Sequence, residues 1–312
     1  MSTDEVYIYI IDFNNSLDTV NAINSILSSH LIKTRIFLHI NGSSNEHSRR
    51  LYEQFKSNNQ VILTSTEKNI GFTGAVNLLF EKSKADYPLV DYILLFNNDA
   101  IVEPESINKL LTVIKSRPDI GVVGPRVLEL DKKDVIQTDG ANLLKYFMQQ
   151  SFANVGKSVT DCPPGSPYSV SFVSGACMLI RADLLDKTNG FDDRYFAYFE
   201  DLDFCIKIEQ YGFGCLHVPE SRVFHKGSGT SGKDSSLYHF LMTRNRFMIA
   251  RKYLSMPVFI CIFLPYFLLS RIVYKSFILL INNKIDGIKG IYNALRWLSA
   301  SGKNKIKFWP VI

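Results

Sequence analysis

Residues Phe199 to Cys205 (FEDLDFC) carry three carboxylates, Glu200, Asp201 and Asp203; Asp192 shortly before them adds a fourth, and His225 follows downstream. Leu202, Cys205 and Ile208 are spaced for one buried helical face and Gly212 stands where a helix commonly stops, which predicts a short helix over Asp201 to Tyr211. Glu200 and Asp201 then fall at its N-terminus, where free N–H groups and the helix dipole favour an ionised carboxylate. Such a group can serve as a general base. Acidic residues at helix starts also act as plain caps, and the segment alone fits both roles.

A second acidic site is Asn97-Asn98-Asp99. It follows Asp91 to Phe96 (DYILLF), an apolar run of the kind buried in a parallel sheet. In open α/β sheets ligands bind beyond the carboxyl ends of strands, which is where Asn97 and Asp99 would lie. Hard oxygen ligands there suit a magnesium or manganese ion holding a diphosphate. An Asx turn leading into a helix near Pro104 explains the same residues without a metal.

The elements that must position these side chains form an alternating series. Val6 to Phe13, Thr34 to Ile40, Gln60 to Thr64 and Asp91 to Phe96 have strand patterns; Leu17 to Ser29, Asn45 to Asn58 and Phe72 to Lys84 have helical ones. Alternation of this kind implies βαβ units and a parallel sheet covered by helices on both faces.

With these motifs in order, Val6 to about Asn245 resembles the inverting glycosyltransferases of family 2, especially their bacterial rhamnosyltransferase-like branch. The resemblance rests on Ile11-Asp12-Phe13-Asn14, the run from Asn69 to Asn77 (NIGFTGAVN), Asn97-Asn98-Asp99, Ser174-Gly175-Ala176, Gly190-Phe191-Asp192, Glu200-Asp201-Leu202-Asp203 and His225-Lys226-Gly227. Each is weak alone; their order and spacing together are specific. The resemblance implies a GT-A fold, Rossmann-like with a mostly parallel central sheet flanked by helices.

It further implies that Asp201 is the base, with Glu200 its nearest competitor. Asp99 resembles the metal-binding acid of the family's DxD motif, with Asn97 at the first position and His225 as a third ligand, for Mn2+ or Mg2+. An amide at position 97 ligates without adding charge. Asp12, Asn14, Asn41, Asn69, Gly71, Asn77, Asn97 and Asn98 are the implied contacts to a nucleotide-sugar donor. One departure from the family is Ile40, where relatives usually carry an acid after the second strand; Asp12, ending the neighbouring strand, is the candidate substitute.

The implied reaction is inverting, metal-dependent sugar transfer to a lipid-linked glycan acceptor in bacterial surface polysaccharide synthesis, with dTDP-L-rhamnose the leading donor. A UDP-linked galactofuranosyl, glucosyl or galactosyl donor is the alternative. A catalytically silent, nucleotide-sugar-binding scaffold is a different class, suggested only by Asn97 and Ile40.

Composition is consistent with this. Five cysteines form no CxxC pair and are odd in number, against a zinc module or disulfide scaffold. Met1 to Glu5 is acidic and runs straight into the first strand without a signal-peptide pattern, so a cytoplasmic enzyme is expected. From Leu237 to Ile312 twelve Lys and Arg face one acid, Asp286, a net +11 in a chain of net +5. That basic stretch includes Tyr253 to Ser270, which has no charged side chain. The expected organisation is a catalytic domain over residues 1–236 and a helical region over 237–312. The latter is read as lying on the inner face of the cell membrane, with a bilayer span or an ordinary packing helix as alternatives. Pro257 and Pro265 are expected to disturb a straight helix there. No nucleic-acid motif accompanies the basic charge. Gly227 to Ser236 (GSGTSGKDSS) is either a linker or a loop that orders over the diphosphate.

Overall fold

A computed structural model of the chain describes residues 5–29, 33–227 and 234–300. The described chain divides into two compact units: residues 5–29, 33–142, 152–196 and 200–227 form the first, and residues 143–151, 197–199 and 234–300 the second. Residues 228–233 of the glycine-rich segment lie outside the described residues.

The first unit is built on a ten-stranded sheet. β1 (Val6–Asp12), β2 (Thr34–Asn41), β3 (Val61–Thr66) and β4 (Tyr92–Phe96) are parallel neighbours in the order β4-β1-β2-β3. Their crossovers are α1 (Ser16–Leu27), α2 (Asn45–Phe55) and α3 (Gly71–Asp86). Each expected strand and helix is present with its ends shifted by up to three residues. The continuous apolar character of β1 and β4 follows from burial of both sheet faces. Ile8, Ile10, Leu94 and Phe96 pack with Ala22, Ile23 and Ile26 of α1, all nearly inaccessible.

The sheet then departs from simple alternation. After β5 (Ala100–Val102) and α4 (Ser106–Ser116) come β6 (Ile120–Glu129), β7 (Ile136–Thr138), β8 (Ala141–Leu144), β9 (Gln149–Phe152), β10 (Tyr168–Val170), β11 (Cys177–Arg181), α5 (Asp183–Thr188), α6 (Glu200–Gln210) and β12 (Gly214–His225). β11 inserts between β4 and β6, antiparallel to both, so that Cys177 faces Phe96. β12 runs parallel to β6 and antiparallel to β5, so that His225 pairs with Ala100 and with Glu129. These two registers bring residues 174–176 and residue 225 to the end of β4.

In the second unit, α7 (Ser236–Tyr253) packs with α8 (Met256–Ile281) and α9 (Ile285–Ser299). Gly287 and Gly290 let α9 approach α7 closely: a Cβ at Gly287 would lie 2.8 Å from His239, and one at Gly290 3.0 Å from the Phe240 nitrogen. On α8, Phe259, Phe263 and Phe267 recur every four residues and meet Phe247 of α7, with ring centroids 5.3, 6.4 and 5.8 Å away. Arg271 continues that row, donating to Thr243 Oγ1 at 2.9 Å and His239 Nδ1 at 3.1 Å. Pro257 sits in the first turn of α8, where its missing N–H costs nothing, and the wide turns over Phe259–Phe263 and Leu268–Tyr274 flank Pro265 without interrupting the helical path. The expected disturbance is thus a change of winding.

Candidate active site

α6 begins at Glu200, so both acids of the Glu200-Asp201 pair stand in its first turn. Asp201 Oδ1 accepts the Leu202 N–H at 2.7 Å and Oδ2 accepts the Gly175 N–H at 3.1 Å. Burial raises the Asp201 pKa, and these N–H groups oppose the rise by stabilising the anion. Glu200 is 9% exposed, and its Oε2 is buried without a hydrogen-bond partner among the described residues. Burial, followed by the neighbouring Asp201 charge, pushes the Glu200 carboxyl well above its usual range. A bare glycine faces the pair: a Cβ on Gly175 would lie 3.8 Å from Glu200 Oε1 and 3.9 Å from Asp201 Oδ2. Two adjacent carboxyls in unequal surroundings titrate apart, with the proton held by Glu200 and the charge by Asp201.

The second cluster is close by in the sheet. Asn97 N–H donates to Ala176 O at 3.0 Å, tying the end of β4 to the segment that holds Asp201. Asp99 is 6% exposed, with Oδ1 3.1 Å from His225 Nε2. Asn97 Nδ2 lies 3.2 Å from the same nitrogen. Burial works to raise the Asp99 pKa; the His225 hydrogen bond and charge outweigh it and hold the carboxyl below its ordinary value. Among the described residues no three His, Cys, Asp or Glu side chains converge as a complete metal cage. A carboxylate oxygen and an imidazole nitrogen 3.1 Å apart would nevertheless suit an Mg2+ or Mn2+ ion that takes its remaining ligands from phosphate and water.

The other expected donor contacts are drawn into the scaffold. Asp12 is inaccessible; its carboxylate accepts from Thr19 Oγ1 at 2.7 Å, Ser43 Oγ at 2.6 Å and the Asn15 N–H at 3.3 Å. Asn98 Nδ2 donates to Thr19 Oγ1 at 3.0 Å, and Asn14 Oδ1 accepts the Ser44 N–H at 2.7 Å. Asn41 donates to Asn69 Oδ1 at 3.0 Å and accepts the Ile70 N–H at 2.9 Å, while Ile40 is buried in the core. Gly71, at φ +82°, leads into α3 against Phe196, where a Cβ would come within 2.6 Å of the ring. Phe196 O accepts the Phe72 N–H at 2.6 Å. Asn77 clamps the Gly190 turn, donating to Phe191 O at 2.8 Å and accepting its N–H at 2.9 Å. Glycine at 190 is required because a side chain there would strike Asn77.

Sequence reasoning missed two features. Gln137 accepts from His225 Nδ1 at 2.7 Å, and nothing in its sequence neighbourhood marks it. The buried network of Arg126, Asp139 and His217 joins β6, β12 and the turn after β7: Arg126 grips Asp139 through bonds of 2.9 and 2.7 Å, and His217 Nε2 lies 2.7 Å from Asp139 Oδ1. A lone Arg inside the apolar run Ile120 to Leu128 was the available signal.

A mixed sheet with two acidic sites at its strand ends is the architecture of GT-A glycosyltransferases, and known proteins agree. Residues 5–247 match the family described as glycosyltransferase like family 2, and the chain belongs to it. It is a glycosyltransferase. The chain is 26% identical over 241 residues to the N-acetylglucosaminyl-diphospho-decaprenol L-rhamnosyltransferase of Mycobacterium tuberculosis, covering 67% of this chain and 75% of that one. It is 27% identical over 141 residues to rhamnosyltransferase WbbL of Escherichia coli K12, covering 43% and 52%. In fold it is similar to GalNAc-T7, solved with UDP, GalNAc and Mn2+, with TM-score 0.60 at 18% identity over 77% of this chain and 48% of that one, about half its length. It is also similar to the mannosyltransferase PcManGT of Pyrobaculum calidifontis, solved with GDP-Man and Mn2+, with TM-score 0.56 at 12% identity over 97% and 77% of the two chains.

Proposed function

We propose that the chain transfers L-rhamnose from dTDP-L-rhamnose, with inversion, onto a lipid-linked glycan acceptor during synthesis of a bacterial surface polysaccharide. The observation that carries the chemistry is the unequal carboxyl pair at Gly175. Asp201 keeps its charge on two backbone N–H groups and takes the acceptor hydroxyl proton as the oxygen attacks the anomeric carbon. Glu200 keeps its proton, so the Glu200-Asp201 pair carries one negative charge instead of two where an anionic donor must approach. The nucleoside diphosphate leaves from the opposite face, and direct displacement inverts the anomeric centre.

Asp99 and His225, with the Asn97 amide beside them, are the residues that would hold a divalent ion. When bound, Mn2+ or Mg2+ supplies positive charge against the leaving diphosphate. The Mn2+ in the GalNAc-T7 and PcManGT structures supports this requirement. Residues Asn69 to Asn77 are the proposed donor-facing segment, held by Asn41 through Asn69 and Ile70, with Asp12, Asn14 and Asn98 as further proposed donor contacts. The mycobacterial and E. coli rhamnosyltransferases favour rhamnose and, in the former, an N-acetylglucosaminyl lipid acceptor.

The second unit suits a membrane surface. α8 averages a hydropathy of 2.0 over its most apolar window, of which 17% is buried. Its Phe259-Phe263-Phe267-Arg271 row is spent on α7, leaving Leu269, Val273, Phe277 and Leu280 more than half exposed. A spanning α8 would draw the polar partners of Arg271 into hydrocarbon. One-faced burial in the cytoplasmic leaflet, with basic residues near anionic headgroups, avoids that. The deciding experiment is a panel of nucleotide sugars with a synthetic lipid-diphosphate GlcNAc acceptor, scored by released nucleoside diphosphate and product stereochemistry. Turnover is expected with dTDP-L-rhamnose; selective turnover of a UDP-hexose would reassign the donor.

A further inference from the structure

The imidazole of His225 is gripped on the side away from Asp99. Gln137, in β7, presents its amide to Nδ1, with Oε1 2.7 Å away. The amide orientation is fixed by its surroundings: Nε2 lies 3.4 Å from His225 O and 3.5 Å from Glu129 Oε2, both acceptors. An amide oxygen only accepts, so the hydrogen sits on His225 Nδ1.

With Nδ1 held by Gln137, Nε2 is the ring atom left free to ligate. That nitrogen faces Asp99 Oδ1 at 3.1 Å and the Asn97 amide nitrogen at 3.2 Å. A carboxylate oxygen and an imidazole nitrogen so placed would suit one divalent cation. Gly227 explains how Gln137 reaches its place. At φ +69° it adopts a backbone conformation that side chains disfavour, and a Cβ there would lie 2.7 Å from Gln137 Nε2.

We propose that Gln137 is a positioning residue of the cation site. It holds His225 as the Nδ1–H tautomer and so delivers Nε2 as a ligand beside Asp99, with Gly227 leaving the space its amide needs. The inference rests on the reading of Asp99 and His225 as ligands. Outer hydrogen bonds of this kind orient a ligating histidine and raise its basicity, and their loss costs about 10–100-fold in metal affinity.

The test uses the full chain in detergent, with Mn2+ binding in the presence of dTDP followed by electron paramagnetic resonance, and 15N-histidine NMR with Mg2+. The variants are Gln137→Met, which removes the acceptor, Gln137→Glu, which keeps one, Gly227→Ala and His225→Ala. Gln137→Met and Gly227→Ala should weaken Mn2+ about 10–100-fold, while Gln137→Glu stays within a few-fold of the parent. Wild-type His225 should show the Nδ1–H tautomer, and Gln137→Met a mixture. Weak binding by His225→Ala with unchanged binding by Gln137→Met would overturn the role of Gln137 alone. Unchanged binding by His225→Ala would overturn both it and the cation reading. The NMR arm decides independently of variant folding, since an Nε2–H tautomer in the wild type sinks the proposal.

Discussion

Asp201 Oδ2 accepts the backbone N–H of Gly175 at 3.1 Å. One residue on, Ala176 O accepts the N–H of Asn97, so the proposed base and a proposed cation ligand are fixed to a single three-residue segment. Displacement of that segment would disturb both sites together, so on the proposed mechanism residues 174–176 link proton removal to leaving-group stabilisation.

The unequal carboxyls give opposite expectations for their amide variants. Asp201→Asn keeps geometry and loses basicity, so transfer should fall by about 10²–10⁴-fold with donor affinity retained. Glu200→Gln mimics the protonated acid and should cost less than about tenfold. Steady-state transfer and donor titration on both variants check this; an inactive Glu200→Gln beside an active Asp201→Asn would exchange the roles.

Cation dependence should appear in donor binding before it appears in chemistry. Asp99→Ala is expected to abolish the Mn2+-stimulated part of donor affinity, measured by calorimetry with and without chelator. Full turnover in chelator with no divalent ion present would remove the site from the mechanism.

Acid should destabilise the fold through a buried imidazole. His39 is inaccessible between Thr64 Oγ1 at 2.9 Å and Thr66 Oγ1 at 3.2 Å, and burial, with a smaller effect of Lys82, lowers its pKa from 6.5 to about 4. The unfolded chain therefore binds the extra proton between those values. Stability is fully present above pH 6.5 and falls as pH drops toward 4, by about 3 kcal/mol at most. Urea unfolding midpoints at pH 7.5 and 4.5 measure the loss, and His39→Gln should flatten it.

Asp139 should be among the costliest single positions in the first unit. Its carboxylate is buried against Arg126 and His217, and although burial would raise its pKa, those partners and Asn154 hold it far below the carboxylate norm. Asp139→Ala leaves the Arg126 guanidinium buried without its partner and should cost about 3–5 kcal/mol by chemical denaturation. A loss under 1 kcal/mol would show that the network relaxes onto water.

Membrane recovery should follow the exposed face of α8. Leu269→Glu with Phe277→Glu should release the protein from anionic vesicles while leaving transfer to a soluble acceptor intact, whereas the parent should resist high salt and yield to detergent. These substitutions are cleaner than truncation after Ser236. Removing α7 would also strip Ala197 O and Tyr198 O of the Asn245 amide, which lies 2.8 and 2.7 Å from them. Vesicle flotation of the double variant at parental levels would leave α8 as a packing helix.

The sequence by itself determined the βαβ half of the sheet, the helix that starts at Glu200 and the family. Those depend on local periodicity and on ordered motifs, which survive in one dimension. The tertiary structure alone decided what the asparagines do. Asn41, Asn77 and Asn98 stand within motifs read as donor-binding, yet their amides close contacts with residues 28 to 114 positions away, and no local pattern encodes such a partner. The inserted antiparallel β11 and the long β12 were equally hidden, because strand order is a choice among distant pairings of similar apolar runs. That choice places Gly175 on Asp201 and Gln137 on His225. The chemistry-bearing residue types were legible; their protonation and orientation came from neighbours that only folding supplies.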